Sequence, residues 1–307
     1  MQQYLSLLRE ILDRGEQRAE RTGVGTISLF GTQRKYDLRE GFPIVTTKKV
    51  NYRSIVIELL WFLTGSTNIQ PLVKQSVNIW NEWPFQVYLE KNNLLENYPR
   101  YSESWKKAMA AFADRVKTDD GFAEEWGDLG PVYGSQWRRW KKADGTELDQ
   151  IAEALDLLRR DPSSRRIIVS AWNAGEIQEL IKNHHHAPPA CHSFYQFWVL
   201  ENRLDLHLYQ RTADMALGVP FNISSYATLL TIIAQEVGLQ PGVFTHSTGD
   251  AHIYLNHIEG VKQQLQRTPF PLPKLQVAKK PMPELTADDF VLEHYQHHPF
   301  IKFQIAV

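Results

Sequence analysis

The stretch QRTADMALGVPFNISSY, residues 210–226, joins a predicted strand to a predicted helix and decides how the middle of the chain folds. Before it, the leucines of residues 204–208 alternate with polar residues, which is typical of a strand with one buried face. Within and beyond it, residues 223–237 are mostly apolar and are followed by a glycine, which predicts a buried helix. Polar side chains, including that of Asn222, are therefore concentrated where the predicted strand meets the predicted helix.

Helices and strands extend from this segment towards both ends of the chain. The predicted elements are a helix from residue 4 to Gly15, a hairpin over 21–36, a helix over 52–64, a helix over 147–160 begun by a capping box of Thr146 and Asp149, a strand over 165–172, and two strands between Cys191 and Tyr209. Residues 84–126 are polar with helical runs and predict an inserted helical subdomain. The mixture predicts an α+β fold, in which a large, mostly antiparallel sheet packs with helices in a single domain of residues 1–307.

Composition limits the classes of function. The 307 residues are 43% hydrophobic and 22% charged, and the formal net charge of −1 provides no global field for nucleic acid or anionic membrane. Any recognition of phosphate must then be local. The single cysteine excludes an intrachain disulfide and fits a reducing compartment. With no secretory signal, and no apolar run near the ~20 residues that span a bilayer, we expect a cytoplasmic protein.

Cys191, in APPACHSFYQF, is the candidate nucleophile, because nearby cations or polar donors favour the reactive thiolate. The alternative is a buried, inert cysteine, which the segment taken alone favours. Arginines at the edges of predicted elements are candidates for one phosphate site, since a single guanidinium group can donate two hydrogen bonds to phosphate oxygens. These are Arg21, Arg165, Arg166 and Arg211. Each one alone also fits a surface salt bridge.

Glu58 has apolar neighbours on every face of its predicted helix, so its pKa is expected to rise towards the range useful for proton transfer. The alternative is an ion pair with Lys48 or Arg53. Asn222 carries both a donor and an acceptor, which match O4 and N3–H of a uracil. The alternative is that Asn222 caps the helix that follows it.

His252 and Tyr254 share a strand face and could hold a sugar hydroxyl, although ordinary strand polarity or a metal pair fits the same spacing. The run 184–186 is three histidines, which we expect in an exposed loop rather than around a metal ion. No CxxC or HExxH spacing occurs, so no metal site is predicted.

Taken in order, several long motifs resemble the thymidylate synthase family. They are RTGVGTISLFG, FPIVTTKK with ELLWFLTGSTN, NIWNEW, DLGPVYGSQWR, SRRIIVSAWN, the Cys-His pair, QRTADMALGVPFNISSY and GDAHIYLNH, and they cover nearly the whole chain outside the insert. The insert resembles that of the longer, Lactobacillus-type bacterial members.

The resemblance implies reductive methylation of dUMP to dTMP, with 5,10-methylenetetrahydrofolate as carbon donor and reductant and no metal. Cys191 attacks C6 of dUMP, Glu58 relays protons with Tyr133, and Asn222 recognises the uracil edge. The implied catalytic residues are Cys191, Glu58, Tyr133, Asn222 and Asp214. The implied dUMP-binding residues are Arg21, Arg165, Arg166, His192, Gln210, Arg211, Thr212, Asp214, Asn222, His252 and Tyr254. The implied folate-binding residues are Asn51, Trp80, Asp214, Gly218, Phe221 and Ala306.

The resemblance also implies a homodimer, in which Arg165 and Arg166 reach the phosphate in the partner's site, with no membrane and no obligatory nucleic acid. Three positions depart from the family pattern. Ala190 stands where proline is usual before the cysteine, Thr212 replaces a serine, and Asn51 replaces a histidine found in some members. The last change puts one contact to the folate in doubt.

Other functions fit part of the pattern. A hydroxymethylase acting on dUMP would keep Asn222 and let water capture the intermediate, whereas a version acting on dCMP is disfavoured by Asn222. A catalytically silent homologue that binds nucleotide or RNA would not need the thiol. A cysteine hydrolase lacks an oxyanion hole or a base with an orienting partner in the sequence.

Overall fold

The structure, a computed structural model, describes residues 1–19, 23–182 and 187–304. Its helices are α1 (Gln2–Arg14), α2 (Tyr52–Thr64), α3 (Gln70–Lys74), α4 (Glu82–Lys91), α5 (Glu103–Thr118), α6 (Asp120–Trp126), α7 (Tyr133–Arg138), α8 (Gln150–Arg160), α9 (Ala174–Lys182), α10 (Gly218–Glu236) and α11 (Ile258–Leu265). Its strands are β1 (Glu16–Arg18), β2 (Thr26–Asp37), β3 (Trp140–Lys141), β4 (Glu147–Leu148), β5 (Ile168–Ser170), β6 (His192–Leu200), β7 (Arg203–Asp214), β8 (Gln240–Tyr254), β9 (Lys274–Val277) and β10 (Phe290–Glu293).

The chain divides into two compact units. The first comprises Met1–Val56, Ala152–Val169 and Cys191–Val307, and the second comprises Ile57–Ile151 and Ser170–Ala190. The α+β fold class predicted from the sequence is confirmed. The single catalytic domain over residues 1–307 stays a prediction.

A large sheet organises the first unit, with the strand order β1-β2-β8-β7-β6-β5 among the described residues. The pairs β1–β2, β2–β8 and β6–β7 are antiparallel, and β7–β8 is parallel. A parallel pair needs a crossover connection, and α10 supplies it between β7 and β8. Helix α10 packs against both strands, and α1 packs against β2, so apolar side chains that alternate along the strands are buried beneath helices.

Aromatic rings form much of the core of the second unit. Phe62 lies 5.0 Å from Tyr133 and 5.6 Å from Trp137 between ring centroids, and Trp80 lies 6.3 Å from Trp61. The predicted insert is helical, as α4, α5 and α6, with its own rings in contact. These rings include Phe85, Tyr88, Trp105, Phe112 and Phe122.

Two predicted element boundaries were wrong. Residues 147–148 are not helical, because they pair with β3 around Gly145, and α8 begins only at Gln150. The predicted capping box does not form. Thr146 instead donates to Asp144 in the turn at 2.6 Å, and Asp149 pairs with Arg138 at 2.8 Å.

The predicted hairpin exists but is displaced, since β1 lies before residue 21 and pairs with the start of β2. Strand β5 is shorter than the stretch 165–172. The predicted helix over 223–237 begins earlier than expected, at Gly218. The helices over 2–14 and 52–64 agree with the sequence pattern, and Gly65 follows α2 with a φ of 76° that favours glycine.

Candidate active site

Cys191 lies just before β6, where that strand pairs with β7. Its carbonyl oxygen accepts a hydrogen bond from the Arg211 backbone N–H at 2.7 Å, and Nη2 of Arg211 lies 3.9 Å from the Cys191 sulfur. The thiol belongs to a partly exposed residue rather than a fully buried one. A permanent cation this close stabilises a thiolate, so the local geometry favours a reactive sulfur over the inert alternative.

Asn222 lies one turn inside α10, so it does not cap that helix as the alternative interpretation required. The turn before the helix is held instead by Asp214, whose Oδ1 accepts from the backbone N–H groups of Ala216 at 2.9 Å and Leu217 at 3.0 Å. This arrangement leaves the Asn222 amide to make side-chain contacts.

Those contacts form a hydrogen-bonded chain in which Gln210 and His246 are buried and Asn222 is partly exposed. Gln210 Nε2 donates to Asn222 Oδ1 at 3.0 Å, and Gln210 Oε1 lies 2.9 Å from His246 Nε2. Asn222 is also hydrogen-bonded to His192, which raises the pKa of that imidazole, but burial dominates and lowers it to about 4. His192 is therefore neutral near pH 7.

His252 and Tyr254 share one face of β8, with their ring centroids 5.0 Å apart, as the strand spacing predicted. Next to them, Asp250 bonds Arg18 at 3.1 Å and lies 3.5 Å from Nδ1 of His252. The hydrogen bond from His252 holds the pKa of the Asp250 carboxyl below its usual range. The imidazole is thus oriented by a carboxylate at the end of the strand.

Glu58 lies on α2 and accepts a hydrogen bond from Nε1 of Trp80 at 2.7 Å. Burial raises the pKa of Glu58 to about 7, although the bond from Trp80 opposes that rise. The predicted rise is confirmed. The alternative ion pair is wrong, since Lys48 donates to the Ala216 carbonyl and Arg53 pairs with Asp288.

Trp80 and Tyr133 belong to the same aromatic cluster, with ring centroids 6.2 Å apart. The carboxyl of Glu58 therefore lies among rings, which explains the desolvation that dominates its proton affinity. A carboxyl with this proton affinity can take up and release a proton at neutral pH.

The remaining candidates are positioned as follows. Arg165 and Arg166 are exposed before β5, and the Arg165 carbonyl accepts from Gln196 at 3.1 Å. Thr212 lies opposite Asp250 in the β7–β8 pair, and its carbonyl accepts from Gln210. Arg21, Ala306 and the histidine run 184–186 lie outside the described residues.

The candidates for folate contact in the first unit lie at the N-termini of two helices, α2 and α10. Asn51 caps α2, since its Oδ1 accepts from the Ser54 N–H at 3.3 Å. Gly218 begins α10 and Phe221 is partly exposed in its first turn, close in sequence to Asp214. An aromatic face and a carboxylate at one helix start suit a planar, polar ring.

The family model for thymidylate synthase matches residues 2–307. Three relatives named thymidylate synthase align over their whole length with the whole of this chain. They come from Listeria monocytogenes serotype 4a, with 46% identity over 320 residues, Mycoplasma mobile, with 48% over 309 residues, and Mesoplasma florum, with 47% over 309 residues. The chain belongs to the thymidylate synthase family.

Membership of the thymidylate synthase family makes the chain an enzyme, a methyltransferase of dTMP biosynthesis, and implies a folate co-substrate. The bacterial relatives agree with the bacterial type expected from the motifs. No group of three or more His, Cys, Asp or Glu side chains in residues 1–19, 23–182 and 187–304 is arranged to hold a metal ion. In the same part of the chain, no helix is long and apolar enough to cross a bilayer.

Two buried histidines, one beside and one within these thymidylate synthase motifs, were given no role by the sequence interpretation. His246 alternates with Phe244 and Thr248 on β8, and this period of two indicates an inward side chain that the sequence interpretation overlooked. His257 is the last residue of GDAHIYLNH. Its Nε2 lies 2.5 Å from the Gln304 carbonyl oxygen, and its Nδ1 lies 3.9 Å from Asp214. No sequence signal links His257 to a residue so near the C-terminus.

Proposed function

We propose that Cys191 begins the reaction of this family, the reductive methylation of dUMP to dTMP by 5,10-methylenetetrahydrofolate, by adding its thiolate to C6 of the uracil. The observation that carries the proposal is the pairing of Cys191 with Arg211, whose guanidinium lies 3.9 Å from the sulfur. Addition at C6 makes C5 a nucleophile, which takes the one-carbon unit. C5 then loses its proton to a base, and the bond between the one-carbon unit and the folate nitrogen breaks, which leaves an exocyclic methylene group and tetrahydrofolate. Hydride transfer from tetrahydrofolate to that methylene group and release of the thiolate from C6 yield dTMP and dihydrofolate.

The nucleotide is held by groups that differ in chemistry. Arg211, with Arg21, Arg165 and Arg166, is proposed to bind the phosphate, because a guanidinium donates two hydrogen bonds to an oxyanion. His252 and Tyr254 present two polar groups on one strand face to the deoxyribose hydroxyl.

Asn222 is proposed to recognise the base. Its hydrogen bonds with Gln210 and His192 support this role. Glu58 is proposed as the proton relay, with Tyr133, on the strength of its raised pKa. Trp80, Asp214, Gly218 and Phe221 are proposed to contact the folate, with Asn51 and Ala306.

The outer face of the sheet supports a homodimer. Along β6, Tyr195 and Phe197 are buried, whereas Phe194, Trp198 and Leu200 are 42%, 49% and 45% exposed. A cluster of apolar side chains on a sheet face is typical of an interaction surface. We propose that a second copy covers this face by twofold symmetry, and that Arg165 and Arg166 reach the partner's phosphate site.

Mixed dimers test the sharing of arginines. A subunit with Cys191→Ala is combined with one carrying Arg165→Ala and Arg166→Ala, and each variant alone is expected to be inactive. If the arginines act across the interface, each mixed dimer holds one intact site and recovers about half the wild-type activity per dimer. If they act within their own subunit, the mixture stays inactive.

The dimer face itself is tested by measuring the oligomeric state of Trp198→Lys by sedimentation. Val291→Lys, at an exposed position outside this sheet, is the control.

The experiment for the main proposal is a product assay with Cys191→Ala. The wild type should form dTMP and dihydrofolate together from dUMP and methylenetetrahydrofolate. Cys191→Ala should lose dTMP formation while circular dichroism and thermal unfolding stay unchanged. Substantial turnover in that variant would overturn nucleophilic addition by Cys191, and hydroxymethyl-dUMP with tetrahydrofolate would show that water, not hydride, completes the reaction.

A further inference from the structure

His246 ends the hydrogen-bonded chain that runs through Gln210 to Asn222. It lies on β8 and is buried, and its Nε2 is 2.9 Å from Gln210 Oε1, so Gln210 links it to Asn222. Its ring stacks on Phe244 with centroids 5.6 Å apart, and Phe244 stacks in turn on Tyr226 at 6.1 Å. The imidazole is therefore held in one plane by packing.

The donor and the acceptor of each hydrogen bond in this chain can be assigned. Gln210 Nε2 donates to the Thr212 carbonyl at 3.0 Å, and a backbone carbonyl can only accept. The amide nitrogen is thereby fixed, and so Gln210 Oε1 must face His246. A carbonyl oxygen cannot donate, so Nε2 of His246 carries the proton in this bond.

The direction continues to Asn222. Gln210 Nε2 also donates to Asn222 Oδ1 at 3.0 Å, which fixes the oxygen end of that amide. The Asn222 Nδ2 group is then the donor end. Burial lowers the pKa of His246 to about 3, so the imidazole stays neutral and the chain has the same polarity across the neutral range.

We propose that His246 is a positioning residue for substrate choice: by donating to Gln210, it holds the Asn222 amide in the orientation that accepts uracil and rejects cytosine. The inference rests on the proposed role of Asn222 in base recognition. Uracil presents an acceptor at O4, whereas cytosine presents an amino donor at the same position. An Asn222 amide that turned over would offer its oxygen to that amino group instead.

Without the His246 donor, Gln210 Oε1 is buried without that bond, and the Gln210 amide is held from one side only. A buried acceptor that loses its donor is unfavourable enough to drive local rearrangement. The expected effect is on the choice between bases more than on the stability of the fold.

The test compares His246→Phe, which keeps a flat buried ring, with His246→Gln, whose amide nitrogen reaches about as far as Nε2. Gln210→Glu is a second route to the same loss, because it keeps the volume but removes the donor to Asn222. Thr248→Val is the matched control. Thr248 is a buried residue of β8, and the substitution removes its hydrogen bond to Thr32 at 2.6 Å, which is outside the chain.

The measured quantity is the ratio of kcat/KM for dUMP to that for dCMP, together with the ratio of their Kd values by calorimetry without folate. His246→Phe and Gln210→Glu should each lower both ratios by about tenfold or more. His246→Gln should restore most of the discrimination, and Thr248→Val should leave it unchanged.

Unchanged ratios in folded His246→Phe, or an equal fall in Thr248→Val, overturn the inference. If His246→Phe does not fold, Gln210→Glu and His246→Gln decide by the same ratios. A wild type that forms no dTMP overturns the proposed function, and the Kd ratios still test the positioning role on their own.

Discussion

Asn222 and Glu58 occupy contrasting polar environments. Asn222 belongs to a chain of hydrogen bonds in which Gln210 and His246 fix the direction of each amide. Glu58 lies among aromatic rings and accepts a bond from Trp80, and its proton affinity is set mainly by desolvation. The first environment determines which way a group points, and the second determines when a group is charged. Substitutions around Asn222 should therefore change substrate choice, and those around Glu58 should change pH dependence.

Glu58→Gln should have the largest effect. The variant keeps the volume and the hydrogen bond from Trp80 but cannot exchange a proton, so kcat should fall by about 10²–10³ while dUMP binding is retained. The wild-type profile of kcat against pH should show an inflection near 7, the value to which the pKa of Glu58 is raised, and the variant should lack it. Steady-state kinetics from about pH 5 to pH 9 measure both effects.

The same carboxyl should affect stability. Because the pKa of Glu58 rises from 4.5 unfolded to about 7 folded, its contribution is fully present below pH 4.5 and is lost as pH rises through 7. Urea unfolding of the wild type should show a loss of about 3 kcal/mol across this window that Glu58→Gln lacks. Exposed Glu284→Gln is the control. An inflection near pH 7 that survives in Glu58→Gln would assign it to another group.

Asn222→Asp should have the next largest effect and should act on specificity. An ionised aspartate accepts Gln210 Nε2–H as before, but it has no donor for O4 of uracil. We expect kcat/KM for dUMP to fall by about a hundredfold relative to that for dCMP, which corresponds to about 2.7 kcal/mol. Competition between the two nucleotides measures the ratio directly, and an unchanged preference would remove Asn222 from base recognition.

Local sequence patterns predicted several properties of individual residues, but they did not predict which residues form hydrogen bonds with one another. The rise in the pKa of Glu58 followed from apolar neighbours on every helical face. Its donor, Trp80, lies 22 residues away in the turn before α4, and no periodicity connects the two. The helical prediction for residues 147–148 was wrong because pairing with β3 outweighed the helical pattern.

The same limit applies to the sheet. Alternation along β7 and β8 predicts which side chains point inward, and His246 is one of them. The contact between His246 and Gln210 depends on the parallel register of β7 and β8, which is set across the whole of α10. The role of Asn222 in base recognition therefore stays a prediction from its motif, whereas the hydrogen bonds that orient its amide could be found only from the fold.

Trp80→Phe should have the smallest effect and separates hydrogen bonding from desolvation at Glu58. Trp80 Nε1 donates to the carboxyl at 2.7 Å and opposes the rise in its pKa. Phenylalanine keeps an aromatic ring but removes the donor, so the inflection in kcat should move to higher pH by about one unit, since a hydrogen bond to a charged group contributes about 1.5 kcal/mol or more.

Trp83→Phe is the control for Trp80→Phe, because Trp83 packs on Trp80 with ring centroids 5.3 Å apart and the substitution leaves the Trp80 donor in place. A higher KM for folate in Trp80→Phe would reflect its proposed contact with that ligand, and only the position of the inflection reports on Glu58. If the inflection stays near pH 7 without the indole N–H, the aromatic surroundings alone set the proton affinity. The pKa of Glu58 would then depend only on desolvation, whereas the orientation of the Asn222 amide depends on hydrogen bonds.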